Sequence, residues 1–304
     1  MPGIKTIVQN ALRAGLAIPA FNVPYLPMIE PVIRAVADQD SFAMIESARL
    51  EWLKFEARGP DAVAEEFFRW YDPQHVRLHL DHIPVIDEDG QRVDFLATIR
   101  EAIDLSYHSV MIDGSRLPLA ENIAATRQVA ELAHEAGVPC EAELGVILGH
   151  EAGPLPLYEE LFASGQGFTK VDEARRFVAE SGCDWLSVAI GNVHGAISQG
   201  YKDRKKISAR LDIDHLRELS QAISIPLVLH GGSGIPQEYV LASFKNGIAK
   251  INIATEIRQA YESTLKSTGR IPDAQEAVYE RTSWLIGEYL GLNGIHNILA
   301  QEVS

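Results

Sequence analysis

Three histidines stand where short apolar segments of the chain end, in positions from which a side chain can take part in chemistry. They are His82 in HLDH, His194 in GNVHG and His230 in LHGGSG. One histidine at such an end is equally well explained by a hydrogen bond that closes a loop. Three that converge on one site would provide the ligands of a catalytic zinc ion, with a fourth position left open. The pattern therefore predicts a metal centre built from these three residues.

Carboxylates accompany these histidines. Asp81 directly precedes His82, and although neighbours on a strand point to opposite sides, both can reach the same site if the chain turns at the strand end. A carboxylate beside a divalent metal can act as a general acid/base, or it can orient a ligand histidine. Asp113 in MIDGS and Glu143 in EAELG lie at other segment ends, where they either bind a second cation or close loops by hydrogen bonds.

Two segments late in the chain have the composition of an anion site. The turn 231–234 reads GGSG, and residues 252–255 read NIAT. Glycines allow backbone N–H groups to approach an anion closely, and the hydroxyls of Ser233 and Thr255 can add hydrogen bonds. These segments predict a phosphate site.

Distant residues can share one site only if the fold brings their segments together. Eight short apolar segments alternate with amphipathic segments such as Leu119–Ala136, which predicts parallel strands joined by helices and favours an α/β (β/α)8 TIM barrel. In that fold all strands end at one mouth, which holds the active site, and the loops after strands seven and eight bind phosphate. The predicted strands are Ala17–Val23, Phe42–Ser47, Val76–His82, Ser109–Gly114, Pro139–Gly145, Trp185–Gly191, Pro226–Gly231 and Ile248–Thr255.

Composition narrows the range of partners. The net charge of −15 argues against binding to nucleic acid or to an anionic membrane surface, yet it allows a small phosphorylated ligand. The two cysteines cannot form a disulfide framework for 304 residues, and the amino-terminal segment lacks the features of a secretory signal. No apolar run is long enough to span a bilayer. We expect a cytoplasmic protein.

We expect a single barrel domain over residues 1–304, with a C-terminal helical extension at about 271–304. The extension is richer in apolar residues than one helix packed on a barrel requires. That content fits either the interface of a homo-oligomer, dimer or tetramer, or packing beneath the helices of the same chain.

Seven motifs in chain order resemble those of the class II, zinc-dependent fructose-bisphosphate and tagatose-bisphosphate aldolases. They are IPAFNV, HLDH, SVMIDGSRLPLAENI, EAELG, SVAIGNVHG, PLVLHGGSG and KINIATEIR. The resemblance implies an aldolase that splits or forms a ketose phosphate, giving dihydroxyacetone phosphate and an aldehyde through a zinc-stabilised enediolate. Zinc then stabilises the developing charge as a Lewis acid, so that no lysine Schiff base is needed.

The resemblance also implies roles for individual residues. The three strand-end histidines would bind zinc, Asp81 would move the proton at the hydroxyl next to the breaking bond, and Glu151 would move a proton on the enediolate carbon. Asp113 and Glu143 match a secondary divalent position, and a monovalent cation (Na⁺ or K⁺) near the phosphate loops is common in the family. The predicted substrate-binding residues are Asn22, Ser47, Gly195, Gly231, Gly232, Ser233, Asn252, Ala254 and Thr255.

The chain departs from the family pattern in three segments near the mouth: 48–60, the apparent insertion 83–94, and 146–170, which contains Glu151. Because the metal and phosphate motifs are kept, the simplest hypothesis is the same chemistry on a different aldehyde. Two alternatives remain. One is an aldolase for a deoxy-sugar or sugar-acid phosphate, and the other is a non-catalytic barrel that binds a sugar phosphate.

Overall fold

The structure is a computed structural model that describes residues 1–147, 158–193 and 209–301. Eight parallel strands form a closed barrel in which each strand pairs with its neighbours in chain order and β8 pairs with β1. This confirms the predicted TIM barrel. The strands are β1 (Ile18–Asn22), β2 (Ala43–Ala48), β3 (Val76–Pro84), β4 (Ser109–Asp113), β5 (Cys140–Leu144), β6 (Trp185–Val188), β7 (Leu227–Leu229) and β8 (Ile248–Ile253).

Helices surround the barrel. Two of the helices have an aspartate as N-cap. The Asp94 carboxylate accepts a hydrogen bond from the N–H of Ala97, and the Asp212 carboxylate accepts one from the N–H of His215. The helices are α1 (Ile4–Ala14), α2 (Ile29–Asp38), α3 (Arg49–Lys54), α4 (Pro60–Trp70), α5 (Phe95–Asp104), α6 (Leu119–Glu135), α7 (Tyr158–Ser164), α8 (Val171–Ser181), α9 (Ile213–Ala222), α10 (Gln237–Phe244), α11 (Thr255–Thr268), α12 (Ile271–Trp284) and α13 (His296–Leu299). Among the described residues, none of the helices has the length and apolar character needed to cross a membrane.

The strands are buried on both faces, as parallel strands covered by helices must be. Side chains alternate along each strand, so on β5 the apolar Cys140 and Ala142 face the helices while Glu141 and Glu143 face the interior. On β8 the interior face carries Lys250. The barrel interior is therefore charged, and each of these charges needs a partner there.

The C-terminal segment packs against its own chain. After α12, a π-helical turn over Leu285–Tyr289 continues the helix. Leu285, Ile286 and Leu290 are buried, whereas Trp284 is 42% exposed and stacks on the ring of Tyr289. Most of the apolar content that the sequence shows here is thus used within the chain.

Candidate functional site

Asp81 and His82 reach the mouth together by a route that the sequence did not reveal. We expected β3 to end at His82, with the chain already turning, but β3 continues to Pro84. The pairing of β3 with β4 instead shifts register between Leu80 and Ile83, and His82 has a φ of 40°. A positive φ is costly for a residue with a Cβ and is concentrated at functional sites. This bulge is what lets two consecutive side chains serve one site.

The imidazoles of His82 and His230 face each other across the mouth. His230 Nδ1 lies 2.7 Å from His82 Nε2, and ligand atoms of Asp81, His82 and His230 all lie within 4.8 Å of one another. The far nitrogen of each ring contacts a carboxylate: His82 Nδ1 is 3.4 Å from Asp113 Oδ2, and His230 Nε2 is 2.8 Å from Glu141 Oε1. Imidazoles oriented by carboxylates are the donor set that divalent zinc prefers. His194, the third predicted ligand, lies outside the described residues.

Asp81 is held by two amides. Its Oδ2 accepts from Asn22 Nδ2 at 2.9 Å, and its Oδ1 accepts from Asn252 Nδ2 at 3.1 Å. Burial raises the pKa of Asp81, but the nearby charge of His82, followed by those of His230 and Lys250, outweighs burial and lowers it. The group is therefore an ionised acceptor with both oxygens fixed.

Asp113 and Glu143 lie beside the two imidazoles and also accept hydrogen bonds from neighbouring serines. Asp113 Oδ1 accepts from the backbone N–H of Ser115 at 2.9 Å and from its hydroxyl at 2.6 Å, which closes the loop after β4. Glu143 Oε2 is 3.6 Å from His230 Nδ1 and accepts from the Ser187 hydroxyl at 3.3 Å. Burial, together with the charge of Asp113, raises the pKa of Glu143 to about 8. Asp113 thus closes a loop at the rim by hydrogen bonds, which is one of its two predicted roles, and the second cation site stays a prediction.

The predicted phosphate residues divide into two groups. Gly231, Ser233, Ala254 and Thr255 line the cavity at the mouth together with Asn22 and Asn252, and the first turn of α11 begins there. A helix amino terminus with nearby glycine N–H groups favours an anion.

Gly232 and Ser47 have other partners. The N–H of Gly232 donates to the Asn252 carbonyl at 3.0 Å, and a Cβ at this glycine would come within 2.7 Å of Ile251. Ser47 is buried, and its hydroxyl accepts from Trp52 Nε1 at 2.7 Å. Neither residue is among those that line the cavity. Gly195 and Glu151 lie outside the described residues.

Lys250 is one of the residues of the site to which sequence reasoning gave no role. It is fully buried inside the barrel, with its Nζ 3.0 Å from Glu141 Oε2 and 3.1 Å from Glu46 Oε2. Burial lowers the pKa of this ammonium, but the two carboxylates outweigh burial and raise it. The available signal was spacing, because Lys250 is two residues before Asn252 and so shares its face of β8.

The insertion after HLDH forms a short hairpin at the rim. Ile86 bridges Arg92, and the Asp87 carboxylate accepts from the N–H groups of Asp89 and Gln91. Two arginines hold this hairpin. Arg49 Nη1 is 3.6 Å from Asp87 Oδ2, Arg116 Nη1 donates to the Asp87 carbonyl at 2.7 Å, and both arginines line the cavity.

Comparison with known proteins agrees with the motif pattern. The family model described as "Fructose-bisphosphate aldolase class-II" matches residues 3–291. The fructose-bisphosphate aldolase of Streptococcus pneumoniae is 32% identical over 280 residues, which cover 91% of this chain and 86% of that protein. The counterpart from Streptococcus pyogenes is 31% identical, also over 91% of this chain and 86% of that protein. The YdjI aldolase of Escherichia coli K12 superposes with a TM-score of 0.74 at 28% identity, covering 96% of this chain and 97% of that one.

Glu51, on the cavity wall, generates a testable pH dependence. Its side chain is buried, Oε2 accepts from the Ala48 N–H at 2.9 Å, and burial raises its pKa to about 8 from an ordinary 4.5. Between these two values the folded chain keeps a proton that the unfolded chain releases, so this group makes the free energy of unfolding fall as pH rises. Relative to the Glu51→Gln variant, wild-type protein should lose stability from about pH 5 to about pH 8 in urea unfolding.

The matched control is Glu65→Gln, since the Glu65 side chain is 79% exposed on α4. Its offset from wild type should stay constant with pH. Parallel curves for wild type and the Glu51→Gln variant would show that Glu51 holds no extra proton.

Proposed function

Because the chain belongs to the class II fructose-bisphosphate aldolase family and is therefore an aldolase, we propose that it cleaves and forms a ketose phosphate with zinc as its metal, giving dihydroxyacetone phosphate and an aldehyde. One observation carries the proposal. The Asp81 carboxylate, fixed by two asparagine amides, lies within 4.8 Å of two imidazole nitrogens that face each other at 2.7 Å. A proton acceptor and a metal-binding pair thus share one small space.

His82, His194 and His230 would hold the ion. When bound, zinc supplies a Lewis acid that stabilises the negative charge that develops on the substrate as the carbon–carbon bond breaks. Asp81 accepts the proton from the hydroxyl next to that bond in cleavage and returns it in synthesis. The two amide contacts on Asp81 suit this role because they fix the position of each oxygen without neutralising the carboxylate.

The phosphate group of the substrate would bind at the cavity wall that follows β7 and β8. The cavity wall formed by Gly231, Ser233, Ala254 and Thr255 combines two hydroxyls with the amino terminus of α11. This end would hold the dihydroxyacetone phosphate half and place the bond to be broken over Asp81. The binding energy of a remote phosphate can in this way be used to orient the reacting carbons.

Lys250, the lysine that lies nearest to Asn252 inside the barrel, is not suited to form a Schiff base. An amine must be neutral to attack a carbonyl, and Lys250 is kept charged by two buried carboxylates. It also reaches Asn252 Oδ1 at 2.8 Å, which uses another of its donors.

The rim opposite the phosphate loops favours a second candidate substrate class, a ketose 1-phosphate whose far end carries a carboxylate rather than a second phosphate. In a ring of eight strands, β3 lies opposite β7 and β4 lies opposite β8. Arg116, after β4, therefore stands across the mouth from the phosphate wall, and Arg49 stands beside it at the Asp87 hairpin. Guanidinium groups recognise carboxylate and phosphate through paired donors. Glu88 also lines this part of the cavity, and its negative charge favours a singly charged carboxylate over a phosphate dianion.

Chelation tests the proposed metal. Dialysis against a strong chelator should abolish release of triose phosphate from fructose- or tagatose-bisphosphate, and stoichiometric zinc should restore it, in a coupled spectrophotometric assay. A ketose 1-phosphate with a terminal carboxylate completes the substrate panel. Full activity in protein shown to be free of metal would refute a metal mechanism. No cleavage of any panel member by zinc-loaded protein would favour a non-catalytic sugar-phosphate-binding barrel.

Asp81→Asn should lower kcat by about 10²-fold or more, the range of general acid–base contributions. Zinc content should stay unchanged by metal analysis, because the two facing imidazoles are kept. Glu180→Gln, on the exposed surface of α8, serves as the control and should match wild type. An Asp81→Asn variant with wild-type kcat would exclude Asp81 as the proton acceptor.

The distal arginines are tested by comparing substrates. Arg49→Met and Arg116→Met should each lower kcat/KM for a substrate with a distal anion by about tenfold to a hundredfold, the range expected for a charge-assisted contact. A ketose 1-phosphate with a neutral far end should change by less than about threefold. Arg69→Met on α4 is the control for loss of a surface charge. Equal losses for charged and neutral substrates would mean that these arginines support only the hairpin.

A further inference from the structure

A single ammonium group inside the barrel contacts both halves of the site. Lys250 has three N–H donors and three acceptors in reach: Glu46 Oε2 at 3.1 Å, Glu141 Oε2 at 3.0 Å and Asn252 Oδ1 at 2.8 Å. The side chain of Lys250 is fully buried, and so are those of Glu46 and Glu141. None of the three side chains is exposed to bulk solvent.

The contact of Lys250 with Asn252 determines which way the amide of Asn252 points. A lysine ammonium donates only, so the Asn252 atom beside it must be the oxygen. The amide nitrogen then faces Asp81 Oδ1 at 3.1 Å and donates to it. If the amide were reversed, its oxygen would face the carboxylate and repel it. Lys250 thus ensures that Asp81 receives a donor from the β8 side.

The contact of Lys250 with Glu141 determines which nitrogen of His230 is left unprotonated and can bind a metal. Lys250 holds Glu141 by Oε2, while Glu141 Oε1 lies 2.8 Å from His230 Nε2. An ionised carboxylate only accepts, so the proton of His230 resides on Nε2 and the lone pair on Nδ1. Nδ1 is the nitrogen that faces His82. These contacts therefore direct the unprotonated nitrogen of His230 toward His82, where a metal would bind.

We propose that Lys250 is a positioning residue that sets the proton acceptor and the metal ligand at once: it orients Asn252 toward Asp81 and, through Glu141, holds His230 in the tautomer that binds metal. The inference rests on the proposed zinc-dependent function for its effect on activity. Its effect on the His230 tautomer stands apart from that function, because it concerns the protein without metal. Glu46 is the matched comparison, since it shares the ion pair but neither of the two connections.

Zinc affinity tests the proposal without substrate. In competition with a chromogenic chelator, Lys250→Met should bind zinc about tenfold to a hundredfold more weakly than wild type, which is the usual effect of removing a group that orients a ligand. Glu46→Gln also disturbs the buried ion pair but should stay within about threefold of wild type. Wild-type affinity in Lys250→Met, or equal losses in both variants, would overturn the proposal.

A double-mutant cycle separates the two connections. Glu141→Gln alone should weaken zinc binding, and adding Lys250→Met to it should weaken zinc binding no further, because the route to His230 is already broken. At saturating zinc the double variant should still show a lower kcat than Glu141→Gln, through Asn252 and Asp81. Additive losses of zinc affinity would show that Lys250 does not act through Glu141.

Nitrogen NMR of the metal-free protein measures the tautomer of His230 directly, so this test does not depend on the zinc mechanism. His230 should be a single Nε2–H tautomer in wild type and in Glu46→Gln, and it should become a mixture in Lys250→Met. One unchanged tautomer in all three proteins would refute the proposal even if wild type bound no zinc. If Lys250→Met does not fold, the Glu46→Gln/Lys250→Met double variant replaces it, because it removes Lys250 together with the carboxyl group of Glu46 that would lose its partner.

Discussion

The barrel interior depends on the balance of charge around Lys250. A lone charge in so dry a place would be very costly, and breaking a buried ion pair by removing one partner typically costs about 3–5 kcal/mol. Glu46 and Glu141 offset the ammonium, and His79, whose pKa burial lowers to about 3, adds a neutral ring beside Glu141. Through Glu141 and Asn252, the ammonium of Lys250 is connected to His230 and Asp81 at the mouth.

Closure of the barrel gives the mouth two chemically different sides. Strands in ring order place the phosphate wall after β7 and β8 on one side, and the Arg49–Asp87–Arg116 rim after β2, β3 and β4 on the other. Asp81 and His82 belong to β3 but reach the centre through the bulge. In the proposed function, a substrate with its phosphate at this wall would extend over Asp81 toward the arginines. Two of the three segments in which the chain departs from its family, 48–60 and 83–94, contribute Arg49 and the Asp87 hairpin to that far end, where the aldehyde would differ.

Much of this followed from sequence because strand ends carry a strong signal. Apolar segments that finish in His82, Asp113 or His230 gave both the barrel and the place where those residues meet. Two features lay beyond the pattern. The positive φ of His82 arises from a register shift between two strands, which no single segment encodes. The role of Lys250 depends on partners from β2 and β5 that come close only when the barrel closes. Periodicity gives the face on which a side chain lies but not the neighbours it meets there.

Asn252 shows how the two ends of the site are coupled. Its side-chain amide donates to Asp81, while its backbone carbonyl accepts from the N–H of Gly232 in the turn that follows His230. Gly232 packs closely on β8, where a Cβ would come within 2.7 Å of Ile251 and 2.9 Å of the Asn252 carbonyl oxygen. In the proposed function, a phosphate bound at this turn would contact the segment that is bonded to the same residue that orients Asp81. Binding energy from an end of the substrate that does not react can then be used where the bond breaks, which is how remote groups contribute to kcat rather than to affinity alone.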